Sequence, residues 1–306
     1  MTQPDTPGPQ AGVALVCSPP VSLSETLARF GREAVRGVCD TGRYRCSYYT
    51  WGQGPPLLLI PGLSDDALSF VMVAGLLSAH FRCTAYNLPA GAGDGARLRR
   101  YTHAHLVEDA FALLDHVGAA RSYVLGSSFG STIALAAMHQ RPERLPRGIL
   151  QGGFARRPLG SRELFLARLA CYLPGRHRAM PLRAAMLERV PRAPFAGRDP
   201  EAWEYLVLRW GLTPFRALGR LALMLHRLDL RPILPEIRQP VRLVCGDCDP
   251  LVGRACEEEL LGGLPSAGRV ELNGCGHNPL FSHPEVLAEV VRRFLTPPGC
   301  PADRCP

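Results

Sequence analysis

Between about Tyr44 and Gln151 the chain alternates short apolar runs with longer stretches in which apolar residues recur every three to four positions. The short runs, Arg45–Trp51, Pro56–Ile60, Cys83–Leu88, Tyr123–Ser127 and Arg147–Gln151, have the length and bounding residues of strands. HAHLVEDAFALLDHV and GSTIALAAMHQ, which separate the later runs, carry the helical period. Apolar strands alternating with helices predict a mostly parallel sheet covered on both faces. The pattern resumes with a strand over Val241–Cys245, a helix over Arg254–Leu261, a strand over Arg269–Leu272 and the closing helix PEVLAEVVRRFL.

Residues 155 to 238 interrupt this alternation with four helical patterns: SRELFLARLACYL, PLRAAMLERV, DPEAWEYLVLRW and TPFRALGRLALMLHRL. Pro181, Pro200 and Pro214 stand where they can begin helices. The expected architecture is therefore an α/β fold: a mostly parallel central sheet flanked by helices, built from residues 23–154 and 239–297, with residues 155–238 as a helical cap. The Pro/Gly-rich ends, 1–22 and 298–306, are expected to be flexible tails. The N-terminus lacks a basic segment and carries Asp5, which argues against a secretory signal, and no apolar run is long enough to cross a bilayer. No integral membrane segment and a cytoplasmic location are the expectations.

Composition narrows the chemistry. All 35 basic residues are arginine, which excludes Schiff-base chemistry, a P-loop lysine and a Ser-x-x-Lys nucleophile pair. Eleven cysteines are an odd number for a disulfide framework in a chain with no export signal. Cys245 and Cys248 have the spacing of a redox or zinc pair, but no second pair matches them, and Cys245 ends an apolar strand where a thiol packs as a small hydrophobe. His103 and His105 open a helix with no third ligand nearby and read as capping and surface residues. No metal and no cofactor is expected.

Three serines fall within five positions in GSSFGS, at the corner between the strand Tyr123–Ser127 and the helix that follows. A Gly-x-Ser-x-Gly corner of this kind presents its central serine above the sheet, which selects Ser128 as nucleophile over Ser127 and Ser131. A serine hydroxyl needs a base. His277, in the Gly-rich turn after the last strand, is the candidate; His283, before Pro284, reads as a cap of the final helix. A carboxylate must orient that imidazole. Asp249 at the tip of the loop after Val241–Cys245 is the first candidate and Asp247, nearer the strand, the second. Leu63, in the loop after Pro56–Ile60, and Phe129, next to Ser128, can supply the backbone N–H groups of an oxyanion hole.

IPGLSDD, NLPAGAGDG, GSSFGS, CGDCDPLV and GCGHNP resemble, in order and spacing, the motifs of the α/β-hydrolase superfamily, and look most like its capped esterase, lipase and C–C hydrolase branch. The resemblance spans about Tyr48 to Leu295 and includes the chain order Ser128, Asp249, His277. It implies an α/β-hydrolase fold and a serine hydrolase cleaving carboxylic esters through an acyl-enzyme. C–C bond hydrolysis or thioester acyl transfer on the same triad is the alternative, and a non-catalytic binding protein of this fold the remote one. Two positions depart from the family pattern: Pro61-Gly62 replaces the usual His-Gly, and Asn87 replaces the aspartate of the Asp-x-x-Gly-x-Gly loop.

Charge is concentrated. Residues 155–238 hold sixteen arginines against seven acidic residues, a surplus of nine, whereas the whole chain carries +8. Arg216, Arg220 and Arg227 share one helical face, opposite Leu218, Leu221, Leu225 and Leu228. A solvated arginine face is the plain reading; attraction of an anionic substrate or membrane surface is the sharper one. Phe195, Trp203, Tyr205, Trp210 and Phe215 fall in the same insertion and are expected to pack it, with one or two lining a pocket. The partner expected is a small-molecule ester, with no nucleic acid; a homodimer stays open.

Overall fold

The structure, a computed structural model, describes residues 21–91, 93–177, 195 and 200–296. The helix expected over Pro181–Val190, most of the N-terminal tail and the C-terminal tail lie outside the described residues.

The sheet has eight strands: β1 Val35–Asp40, β2 Arg45–Trp51, β3 Pro56–Ile60, β4 Arg82–Tyr86, β5 Tyr123–Ser127, β6 Gly148–Gln151, β7 Val241–Gly246 and β8 Ala267–Leu272. Their spatial order is β1-β2-β4-β3-β5-β6-β7-β8. β1 pairs antiparallel with β2 and β2 antiparallel with β4, and every other pairing is parallel. This is the α/β-hydrolase fold. After β4 the chain crosses β3 to form β5, so the order reverses between β3 and β5. At such a reversal the loops beyond the strand C-termini diverge and leave a crevice. The loop after β3 and the GSSFG corner both open into it.

Helices cover both faces. On one side α1 (Leu23–Glu33), α2 (Val71–Leu77) and the last helix, Pro284–Leu295, pack together over Leu57, Leu59, Leu125 and Val244. On the other, α3 (His103–His116) and α4 (Phe129–Gln140) pack over Leu58, Ile60, Val124 and Leu243. The central strands bury residues of both parities, and for that reason they read as continuous apolar runs rather than alternating ones. Ser22 begins α1 by accepting from the Glu25 N–H, and Thr102 begins α3 through a reciprocal pair with His105.

Between β6 and β7 the described helices are α5 (Ser161–Ala170), α6 (Pro200–Trp210) and α7 (Phe215–Arg227). α5 turns its small residues inward: Ala167, Ala170 and Cys171 are buried against α7, while Phe165 and Tyr172 are exposed. Gly219 makes that approach possible, because a Cβ there would stand 2.6 Å from the Ala167 carbonyl oxygen. After β7 come α8 (Arg254–Gly263), the short α9 (Pro279–Ser282) and α10 (Pro284–Leu295).

Candidate active site

The corner after β5 is strained as its sequence requires. Ser128 has φ 50°, the only described non-glycine residue at positive φ. A Cβ at Gly126 would stand 2.5 Å from the Gly130 carbonyl oxygen, and one at Gly130 would overlap the Ile60 carbonyl oxygen. Glycine at both positions therefore lets α4 start hard against β5 and β3, and the turn lifts Ser128 above the sheet edge.

The three serines do different things. Ser128 Oγ lies 2.9 Å from His277 Nε2. Ser127 Oγ donates to Gln151 Oε1 at 2.6 Å, and Ser131 Oγ donates to the Ser128 carbonyl at 2.6 Å. His277 Nδ1 is in turn 2.7 Å from Asp249 Oδ2, with the two side chains 9% and 3% exposed. An ionised carboxylate only accepts, so Nδ1 carries the imidazole proton and Nε2 accepts from the Ser128 hydroxyl. Burial works to raise the Asp249 carboxyl. The His277 hydrogen bond and charge, with the Val252 and Leu251 N–H groups, outweigh it and hold Asp249 below the usual carboxylate range.

Asp247 has a different task. It is exposed and accepts from the N–H groups of Gly274 and Cys275, both at 3.0 Å, so it holds the backbone of the His277 loop and lies off the imidazole. The Gly274 N–H is the main reason its carboxyl is lowered. His283 is hydrogen-bonded to Ser282 Oγ and precedes α10. His105 caps α3, but His103 does not sit as a plain surface residue: its Nε2 is 2.9 Å from Thr132 Oγ1 and burial pushes its pKa down to about 4. Cys245 is buried, Cys248 is exposed, and all eight described cysteines are free. Among the described residues no group of His, Cys, Asp or Glu could hold a metal ion.

Leu63 follows Gly62 in the loop after β3, and Phe129 follows Ser128 at the β5–α4 corner. Phe129 is the first residue of α4, where the backbone N–H has no partner within the helix. Leu63 lies in the turn closed by the Asp65 N–H on the Gly62 carbonyl, and a Cβ at Gly62 would come within 3.4 Å of Ser128 Cβ. At the two departures from the family pattern, Pro61 and Gly62 are buried, and Asn87 Oδ1 accepts from the Ala67 N–H to brace the same loop.

Gln151 escaped sequence reasoning. It is 1% exposed at the end of β6, accepts from Ser127 and donates through Nε2 to the His277 carbonyl at 3.0 Å. Its signal was a lone amide closing the apolar run GIL, where a buried polar side chain needs partners. Asp65 was also missed: its Oδ1 accepts from Trp210 Nε1 at 2.8 Å and from Ser69 Oγ at 3.3 Å. Arg209 is paired with Asp66, and Thr213 Oγ1 donates to the Ser64 carbonyl, so the end of α6 is tied to the loop after β3. Of the aromatic residues expected to pack the insertion, Phe195 meets Trp203 edge to face and Tyr205 meets Phe281.

Residues 57–290 match the sequence profile of the Alpha/beta hydrolase family. The chain belongs to that family. Similar proteins include the pimeloyl-(acyl-carrier protein) methyl ester esterase of Aeromonas salmonicida, 27% identical over 80% of this chain and 97% of its own. An esterase from Thermogutta terrifontis, solved with malate bound, superposes with a TM-score of 0.74 at 21% identity, over 85% of this hydrolase and 98% of that chain. The enol-lactonase from Burkholderia xenovorans LB400 gives 0.71 at 21%, over 85% and 99%. At these identities the solved structures speak for the fold alone. Among the described residues of this hydrolase, no helix is long and apolar enough to cross a membrane.

Proposed function

We propose that this hydrolase cleaves carboxylic esters through an acyl-enzyme on Ser128, with His277 as general base and acid, Asp249 as its orienting carboxylate, and the Leu63 and Phe129 N–H groups as the oxyanion hole. The observation that carries the reading is the relay from Ser128 Oγ to His277 Nε2, 2.9 Å, and from His277 Nδ1 to Asp249 Oδ2, 2.7 Å, at a strained corner. Ser128 Oγ attacks the carbonyl carbon while its proton passes to His277 Nε2, and the carbonyl π electrons move onto oxygen. The intermediate collapses with loss of the alkoxide, which takes the proton from His277. Water then attacks the acyl-enzyme by the same route and releases the acid and Ser128. Each step needs the imidazole to alternate between neutral and cationic forms, and a buried carboxylate on Nδ1 stabilises the cation. The helices between β6 and β7 act in this reading as a cap over the crevice, since α6 is anchored to the loop that carries Leu63.

The test is hydrolysis of p-nitrophenyl acetate, butyrate, octanoate and palmitate by the wild type, Ser128→Ala and Ser127→Ala. Ser128→Ala should lower kcat by a factor on the order of 10⁴ or more, and Ser127→Ala should stay well above that level. A wild type inert on all four esters would sink the ester reading and turn attention to thioester and C–C substrates.

A further inference from the structure

Asp65 has one oxygen used and one open. Oδ1 takes both recorded hydrogen bonds, from Trp210 Nε1 and Ser69 Oγ, which pins the carboxyl group in place. Oδ2 has no hydrogen-bond partner among the described residues. Its direction follows from Gly62: a Cβ there would lie 2.6 Å from Asp65 Oδ2 and 3.4 Å from Ser128 Cβ, so the two real atoms are no more than 6.0 Å apart. The open oxygen thus lies within 6.0 Å of Ser128 Cβ, in the loop that also carries Leu63. It also lies within electrostatic reach of His277, on whose Nδ1 Asp249 already sits.

A second carboxylate here is not neutral for the chemistry. Ester cleavage develops negative charge on the carbonyl oxygen, and a carboxylate with an open oxygen no more than 6.0 Å from Ser128 Cβ opposes that charge. Burial already raises the Asp65 carboxyl, with Asp66 adding to the effect, against the pull of Trp210, His277 and Ser69. A hydrogen-bond donor on the substrate removes the conflict: it partners Oδ2, screens its charge and fixes the acyl group beside Ser128. A carboxylate held by two hydrogen bonds loses little entropy in making a third.

We propose that Asp65 is a specificity-determining residue whose Oδ2 accepts a hydrogen bond from the substrate, so that the preferred esters carry a hydroxyl or N–H one atom from the reacting carbonyl, as 2-hydroxy and 2-amino acyl esters do. This rests on the ester-hydrolase reading and adds the substrate class to it. A donor at that position lies about 2.4 Å from the carbonyl carbon by ordinary bond lengths, close enough for Oδ2 to meet it.

The experiment compares phenyl lactate with phenyl propionate, which differ by one hydroxyl, in the wild type, Asp65→Asn and Ser128→Ala. Each rate is read as phenol release. Asp65→Asn keeps an acceptor for Trp210 at the Oδ1 position and puts an NH₂ donor where Oδ2 was, so it inverts the contact without emptying the space. The wild type is expected to favour the lactate ester by about tenfold or more in kcat/KM, and Asp65→Asn to bring that ratio to about one or below. An equal preference in the wild type, or an unchanged ratio in Asp65→Asn, overturns the inference while leaving the hydrolase reading intact. A proportional loss on both esters assigns Asp65 a purely architectural role and overturns it too. No Ser128-dependent hydrolysis of either ester overturns the hydrolase reading and this inference with it.

Discussion

Asp249 shows how a single side chain couples chemistry to folding. Its carboxyl is almost entirely enclosed, yet it is held below the ordinary carboxylate range because His277 and two backbone N–H groups face it. A group whose folded value is depressed contributes stability that is present above its unfolded value, about 3.9 for aspartate, and lost as pH falls through the folded one. Asp249→Asn keeps the shape and removes the charge that selects the Nδ1–H tautomer. It should lower kcat by about 10⁴-fold on any ester the wild type accepts. In thermal melts the advantage of the wild type over Asp249→Asn should hold from neutral pH to about 4 and shrink below that; a gap that widens on acidification would contradict the assignment of charge. Gln151 works beside it without touching the reacting atoms. Gln151→Leu strands the Ser127 hydroxyl and the His277 carbonyl, and should cost about 1–3 kcal/mol of stability by denaturant unfolding. Because the released carbonyl belongs to His277 itself, the variant should lose kcat more than it changes KM; a pure stability loss would make Gln151 a core residue only.

The elements reveal what their sequences exposed and what they hid. β2, β3 and β5 occur at the expected boundaries: β3 and β5 are buried on both faces, and β2 is marked by Tyr48, Tyr49 and Trp51 before Gly52. β1 went unseen: Val35 and Val38 face outward on an edge strand, 68% and 46% exposed, so VRGVCD carries no buried stripe to read. α2 was equally silent, since Val71, Met72, Val73 and Ala74 are all buried and a helix that is apolar all round has no period. The positions of Ser128, His277 and Asp249 at strand ends were legible because corners and Gly-rich turns have local signatures. The Asp65–Trp210 contact was not, because it joins residues 145 positions apart and nothing local marks it. In α5 the alanines are buried, whereas Phe165 is 65% exposed. The close α5–α7 approach at Gly219 decides this, as only small residues fit there. Gly219→Ala should therefore lower Tm despite its gain in helix propensity, by an amount equivalent to about 1–3 kcal/mol of overpacking. Tyr172→Ser, on the exposed side, should fall within about 0.5 kcal/mol of the wild type. Equal effects would mean that the two helices part readily at that point.

Across the whole molecule, charge is divided between the sheet region and the segment inserted between β6 and β7, which holds the surplus of nine arginines over acids. Two of these arginines pair with acids outside the segment, Arg209 with Asp66 and Arg231 with Glu259, while Arg157 pairs with Glu163 and Arg156 and Arg231 with Asp229 within it. Among the described residues no acid pairs with Arg216, Arg220 or Arg227, and Arg216 and Arg227 are exposed while Leu221 and Leu225 are buried beneath them. These unpaired guanidinium groups and the carboxylates of the crevice act on a substrate at different ranges. Asp65 acts within hydrogen-bond distance of the acyl group, whereas a field from exposed arginines reaches only as far as salt allows. Between about 0.01 M and 1 M ionic strength the screening length falls from about 30 Å to about 3 Å. If the arginine-rich segment draws anions towards the crevice, kcat/KM on a p-nitrophenyl hemisuccinate should drop by about threefold or more over that range, while the neutral butyrate ester stays nearly level. Arg216→Gln combined with Arg227→Gln should flatten the salt dependence of the anionic ester and leave its high-salt rate alone. The same slope for both esters would mean that the exposed arginines serve hydration of the helix surface and take no part in substrate capture.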